Sequence, residues 1–439
     1  MQERGINLKS NNKLFGFFVV ILVLSLTVSF GLAAEQKTRI EYWHINAETQ
    51  GGPTVNELVE TFNAQNNHIE VVARFNPDGY AGLMKNLQAD LAAGKYPGIV
   101  QIGFSFLEYY PNNFPYTSPQ EIVDKYFPDD QAFIDDTFEP FMQNLAINSE
   151  GNRIGLPYSV SNPILYYNAD ILEAAGLPST GPTTWVEVVE FANTIKEKTG
   201  KLGIYFQEGD SWIMQGMFES AGTKLVNWED NKCIVEVANP SNYAIFQDYA
   251  DMVLVHKSGL NMANQWDAIK VFVDGEMGML VGTVGQSRNI LTNSNFTVGS
   301  NSFPTWEGHQ RQVPAGGCMI AITADGEAAQ KASWEFIKFL YGSDQVADWV
   351  IGTGYLPTTR KSVEDSAALR DFLAENKLMD AAVNQIPDTV QWAAYPGDAG
   401  LQAQQVLVNM RDQILTGSRP VIDAMDDAEK LINDLLNGR

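Results

Sequence analysis

The sequence predicts an α/β fold in two lobes. Three observations carry it: a length beyond one hydrophobic core, repeated strand–helix–strand patterning, and a proline-bracketed crossing where one such section gives way to another. At 439 residues the chain exceeds the size at which a single core stops growing. With 45% hydrophobic and 11% aromatic residues it has the apolar content of a globular protein.

The elements follow in order. "TRIEYWHINAETQGGPTVNELVETFNAQNNHIEVVARF" places a strand over Arg39 to His44, then a turn, then a helix with Val55, Leu58, Val59 and Phe62 on one face. A second strand runs from Ile69 to Phe75, so the unit reads as a right-handed parallel pair. "YAGLMKNLQADLAAGKYPGIVQIG" repeats the plan with a helix around Leu83 to Ala93 and a buried strand around Ile99 to Ile102. In "LPYSVSNPILYYN", Pro157 and Pro163 bracket a polar stretch before an apolar run. Proline holds the backbone extended there, as an ordered crossing between lobes requires.

Beyond the crossing, "TTWVEVVEFANTIKEKTG" is an amphipathic helix with Trp185, Val188, Val189, Phe191 and Ile195 on its apolar side, followed by a strand from Leu202 to Phe206. "NPSNYAIFQDYADMVLVHKSGL" reads as another helix, and "AIKVFVDGEMGMLVGTVGQSRNIL" as helix, turn, strand and loop. From "KASWEFIKFLYGSDQ" onward the chain is mainly helical, and no low-complexity linker interrupts it. Ordered crossings between α/β lobes make a hinge able to close on a ligand.

The first residues read separately. Arg4, Lys9 and Lys13 precede an apolar run from Leu14 to Leu32 that ends at Ala33 and Ala34, the marks of an export signal peptide over 1–34. That run is about as long as the ~20 residues that span a bilayer, so an uncleaved anchor is the alternative. No cysteine near Ala34 offers a lipid attachment point, and the expected product is a soluble periplasmic protein. Residues 1–34 carry three basic groups against Glu3, so their removal takes the formal charge from −24 to −26. Such acidity argues against nucleic acid and anionic membranes as partners, both of which need basic faces. Cys233 and Cys318 are too few for a disulfide framework; export would permit one bond between them, but two buried free thiols are expected.

An ordered set of short motifs identifies a relationship. "YWH", "FNAQNNHIEV", "LPYSVSNPILYYNADILEAAGLP" with "TTWVEV", "SWIMQ", "FVDGEMGMLVG", "AGGCMIAIT" and "TGYLPTT" occur across nearly all of the chain after the signal. In this it resembles the extracellular solute-binding proteins of carbohydrate-uptake ABC transporters, most nearly their glycerol-3-phosphate-binding branch. The resemblance implies a two-lobed periplasmic-binding-protein fold, with 35–158 and 306–342 in the first lobe and 159–305 and 343–439 in the second. It also implies a ligand between the lobes, a membrane permease as partner, no cofactor, and a monomer.

It further implies a ligand set. Tyr80, Ser161, Gly317 and Tyr355 match the branch, and Thr283 stands near its second serine. Trp212 keeps one of a tryptophan pair, whose other position is Gly209. Phe104 replaces an acidic residue, and "QWAAYPGDAGLQ" lacks the arginine that would pair a phosphate. A neutral sugar or oligosaccharide therefore fits better than glycerol-3-phosphate, with Trp392 and Asp398 of that segment, and Trp43 and His44 with Asn46 at the end of the first strand, as further candidates. Aromatic faces and planar polar groups are what sugar sites use.

Enzyme signatures are weak. Glu108, Asp135, Asp136 and Glu219 form no evident catalytic pair, the four histidines lack metal-motif spacing, and "GTVGQS" has no serine between glycines. A carbohydrate-active enzyme and a sensory binding protein are the remaining readings.

Overall fold

The computed structural model describes residues 37–48, 51–138, 140–207, 209–230, 232–262 and 264–438; the expected export signal lies outside them. From Thr38 onward the chain is one compact unit. Its strands, in chain order, are β1 (Thr38–His44), β2 (Ile69–Phe75), β3 (Ile99–Gly103), β4 (Leu156–Ser161), β5 (Pro163–Asn168), β6 (Leu202–Phe206), β7 (Val226–Glu229), β8 (Lys232–Val235), β9 (Met277–Thr283), β10 (Val298–Ser302), β11 (Val313–Pro314), β12 (Gly316–Ile322) and β13 (Thr389–Val390).

Two sheets organise the molecule. The first has the order β2-β1-β3-β12-β4, with β1 parallel to β2 and β3, and β12 antiparallel to β3 and β4. The second has the order β10-β5-β9-β6, with β6 parallel to β9. Helix Gly52–Gln65 joins β1 to β2 and buries Val55, Leu58, Val59 and Phe62 as their spacing predicts. Helix Trp185–Thr199 starts at a capping box, in which Thr184 accepts from the Glu187 N–H and Glu187 reaches back.

The crossing lies where the prolines place it. β4 ends at Ser161 in the first sheet and β5 begins at Pro163 in the second, leaving Asn162 between them. Asn162 is fully buried and donates its amide to the Ala382 carbonyl at 2.9 Å, while Gln385 donates to the Pro163 carbonyl at 2.7 Å. These bonds tie the crossing to the C-terminal helices, so it is rigid at its centre.

The segment "SRNIL", expected as loop, is helix Ser287–Asn293. The C-terminal block 343–439 does not pack as one piece. Trp349 of helix Ser343–Thr353 stacks on Tyr158 of β4 at 4.9 Å, and Gly352 sits against Thr54, so this helix goes with the first sheet. Helix Lys377–Asn384 instead receives hydrogen bonds from Ser300 and Ser302 of β10 in the second sheet. Both cysteines are buried free thiols.

Candidate ligand-binding cleft

A cleft of about 330 Å³ opens where the carboxyl ends of strands from both sheets meet, the place where open α/β sheets leave a crevice. β1 delivers Ile45 and Asn46 just past its end, β4 delivers Ser161, and β9 delivers Thr283. β12 contributes Gly316 and Gly317, and helix Gly400–Leu415 closes one side with Leu401, Gln404, Gln405 and Val408.

Trp212 is the best anchored of the lining aromatics. It opens helix Trp212–Glu219, and its backbone N–H donates to Asp210 at 2.8 Å. The indole N–H donates to the Pro314 carbonyl at 2.9 Å, and the ring is 3% exposed. A Cβ on Gly316 would stand 2.6 Å from this ring and 2.7 Å from the Ser161 hydroxyl, so glycine is what lets β12 approach. Trp392 meets Trp212 with centroids 5.8 Å apart at 41°. Gly317 has φ +104° and would place a Cβ 1.8 Å from the Ser159 carbonyl oxygen, so its turn role and its place in the cleft are one requirement.

Tyr80, in the first turn of helix Gly79–Ala92, is hydrogen-bonded to Tyr355 and to the Cys318 thiol. Burial pushes the Tyr80 and Tyr355 hydroxyls and the Cys318 thiol above their ordinary ranges, so all stay neutral and able to donate. Tyr355 stacks nearly parallel on Trp349, at 5.8 Å and 9°. Thr283 uses its hydroxyl to accept from the Gly285 N–H at 3.1 Å, and its own N–H donates to Gln207 at 3.0 Å, which orients a second planar amide at the cleft.

Tyr80, Ser161, Trp212, Thr283, Gly317, Tyr355 and Trp392 are thus brought together in one cleft. Trp43, His44 and Asp398 are not. Trp43 is fully buried, donates to Glu41 at 2.8 Å and lies under the Arg74 guanidinium at 3.9 Å. His44 packs between Tyr42 and Phe75, where burial holds its imidazole down at about 4. Asp398 is exposed on its loop, outside the cleft lining. Phe104 is core, and its neighbours Ser105 and Phe106 face the cleft instead.

Sequence reasoning missed Trp266. A Cβ on Gly209 would stand 2.5 Å from the Gln265 amide, so the space for a second tryptophan at 209 is already taken. The next residue, Trp266, lines the cleft 44% exposed, its N–H capped by Asn264. The signal was present in "NQWD": an asparagine helix cap holds an aromatic in the first turn.

Among the described residues, the charged ones that line the cleft are Asp78, Asp210 and Lys85. Burial pushes the Asp210 carboxyl up to about 6, against the opposing effects of the Trp212 N–H and the Arg411 charge. Arg411 itself is 6% exposed and is bound to Asp412 at 2.7 Å.

The model of the bacterial extracellular solute-binding proteins matches residues 57–381. The chain is 25% identical to the sn-glycerol-3-phosphate-binding periplasmic protein UgpB of Pectobacterium atrosepticum, over 93% of this chain and 94% of that protein. To the protein of that name from Escherichia coli K12 it is 24% identical, over 93% and 96%. Among solved structures, UgpB of Mycobacterium tuberculosis in complex with glycerophosphocholine superposes with a TM-score of 0.80 at 20% identity, covering 92% of this chain and 99% of that one. Maltose-bound MalE3 of T. maritima gives 0.76 at 21% identity, covering 91% and 100%. The two-lobed fold is therefore shared with both.

Proposed function

The chain belongs to the bacterial extracellular solute-binding proteins, and we propose that it captures a neutral sugar or oligosaccharide in the cleft and hands it to an ABC-importer permease. One observation carries the choice of ligand. The cleft sets three tryptophans, Trp212, Trp266 and Trp392, beside planar amides and neutral hydroxyls, and among the described residues no arginine lines it. Indole faces stack on the C–H surfaces of a sugar ring, and amides such as Gln207, Gln404 and Gln405 each serve two hydroxyls. A phosphate would meet Asp78 and Asp210, with Lys85 the one lysine or arginine among the described lining residues to offset them.

In this reading Tyr80, Ser161, Gly317 and Tyr355 contact the ligand from one side, and Trp212, Trp266, Thr283 and Trp392 from the other. The two lobes follow the two sheets, with helix Ser343–Thr353 in the first lobe. A ligand that touches both lobes stabilises the closed form by its differential affinity, and the closed form docks on the permease. The protein acts as a periplasmic monomer, without cofactor or catalysis. A second reading, a polyol-phosphate binder, is favoured by the relatives named above and by Arg411 near Asp210.

A thermal-shift screen of the mature protein tests the choice, since a ligand that binds only the folded state raises its melting temperature. Mono- and oligosaccharides raise it under the first reading, and glycerol phosphates under the second.

A further inference from the structure

A larger cavity, about 630 Å³, shares Trp392 with the cleft. On helix Trp212–Glu219, residues 212, 215 and 219 fall on one face, so a single stripe runs from the cleft wall at Trp212 to Gln215 and Glu219 in this cavity. Gln215 donates to the Gln391 carbonyl and accepts from the Ala393 N–H, both at 2.9 Å, and so grips the chain on either side of Trp392. Trp392 is 6% exposed, yet its indole N–H has no partner among the described residues. A buried donor left open is rare in a finished interior and expected where a ligand supplies the acceptor. Across the cavity stand the half-exposed Trp228 of the β7–β8 hairpin and His309.

We infer that this cavity is an end subsite of the same binding site, holding a further sugar unit past Trp392, so that the protein selects oligosaccharides over single rings. The inference rests on the sugar-binding reading above. Aromatic surface and planar amides fit a sugar unit, whereas Glu108 and Glu219, set against Lys224, disfavour an anionic one. Glu108 is already held by the Ser149 N–H and hydroxyl, at 2.6 and 2.9 Å, and Glu219 accepts from the Gln215 amide and the Leu225 N–H, both at 3.2 Å, which leaves Trp392, Trp228 and His309 to meet the ligand.

Calorimetric titration of the full mature protein with α-glucan, β-glucan and mannan series of one to four rings tests it, alongside Trp228→Ala and His309→Ala, both exposed positions whose melting temperatures verify folding. The wild type binds longer members more tightly at one ligand per chain. Either variant weakens the longest by about ten-fold, and the single ring not at all. Sugar binding that is independent of length, equal losses at every length, or two ligands per chain overturns the subsite and leaves the sugar reading standing. Absence of binding to every series overturns both.

Discussion

Trp212 donates its indole N–H to the carbonyl of Pro314 at 2.9 Å, and this one bond fixes the plane of the cleft's main aromatic surface against β11, just before Gly316 and Gly317. Pro314 belongs to β11, which runs directly into β12 through Ala315; an indole held this way loses little freedom when it binds, so its contact area converts efficiently into affinity. Trp212→Ala is expected to weaken sugar binding by about 1–3 kcal/mol in calorimetric titration. Trp212→Phe keeps an aromatic face but leaves the Pro314 carbonyl without its donor, so it recovers part of the affinity at reduced stability.

Trp266 supplies the wall that Gly209 cannot. Because it is 44% exposed, its removal costs little folding energy, and Trp266→Ala should leave the melting temperature within about 2 °C while weakening binding about ten-fold or less. Equal affinity of variant and wild type would place the ligand deeper than Trp266.

Gly317→Ala meets two penalties together, a backbone at φ +104° and a Cβ 1.8 Å from the Ser159 carbonyl oxygen. The expected cost is about 2–4 kcal/mol in denaturant unfolding, larger than for Gly94→Ala, where a Cβ meets nothing within 4 Å and only the positive φ is penalised.

Buried carboxyls give stability a definite pH dependence. Burial pushes Glu219 up from its usual 4.5 to about 7, and Asp210 from 3.8 to about 6. Between each pair of values the folded protein holds more protons than the unfolded chain, so stability declines as pH rises from about 4.5 to 7 and is not regained above that. His44 works the opposite way: its imidazole, held down from 6.5 to about 4, withdraws stability as pH falls through that range. Glu219→Gln should flatten the decline on the alkaline side and raise stability at pH 8 by about 1–3 kcal/mol in chemical denaturation. An unchanged slope would show that Glu219 is solvated.

Much of the fold was legible because its strands alternate with helices of clear period. β2 matches its apolar run residue for residue, and the helix between β1 and β2 buries the residues whose spacing marked it. The division of the C-terminal helices was not legible, since which sheet Trp349 or Leu378 packs against depends on long-range contacts that leave no local period. Motif position picked out Tyr80, Ser161, Gly317 and Tyr355, which line the cleft, and of the candidates at the end of the first strand Asn46 lines it while Trp43 and His44 do not. The crevice lies past the strand end, at Ile45 and Asn46, and the residues before it belong to the sheet and its packing. Trp266 was hidden because an aromatic in a helix's first turn looks the same whether it faces a core or a ligand.

The most direct test of the central claim is a pair of calorimetric titrations of the mature protein, one with the neutral oligosaccharide that gives the largest thermal shift and one with glycerol-3-phosphate. The account predicts saturable binding of the sugar that does not change between low and high salt, and no heat from glycerol-3-phosphate, because no arginine is among the described residues that line the cleft. Tight, salt-sensitive binding of glycerol-3-phosphate with no response to any neutral sugar would contradict it and assign the phosphate to Lys85 or Arg411.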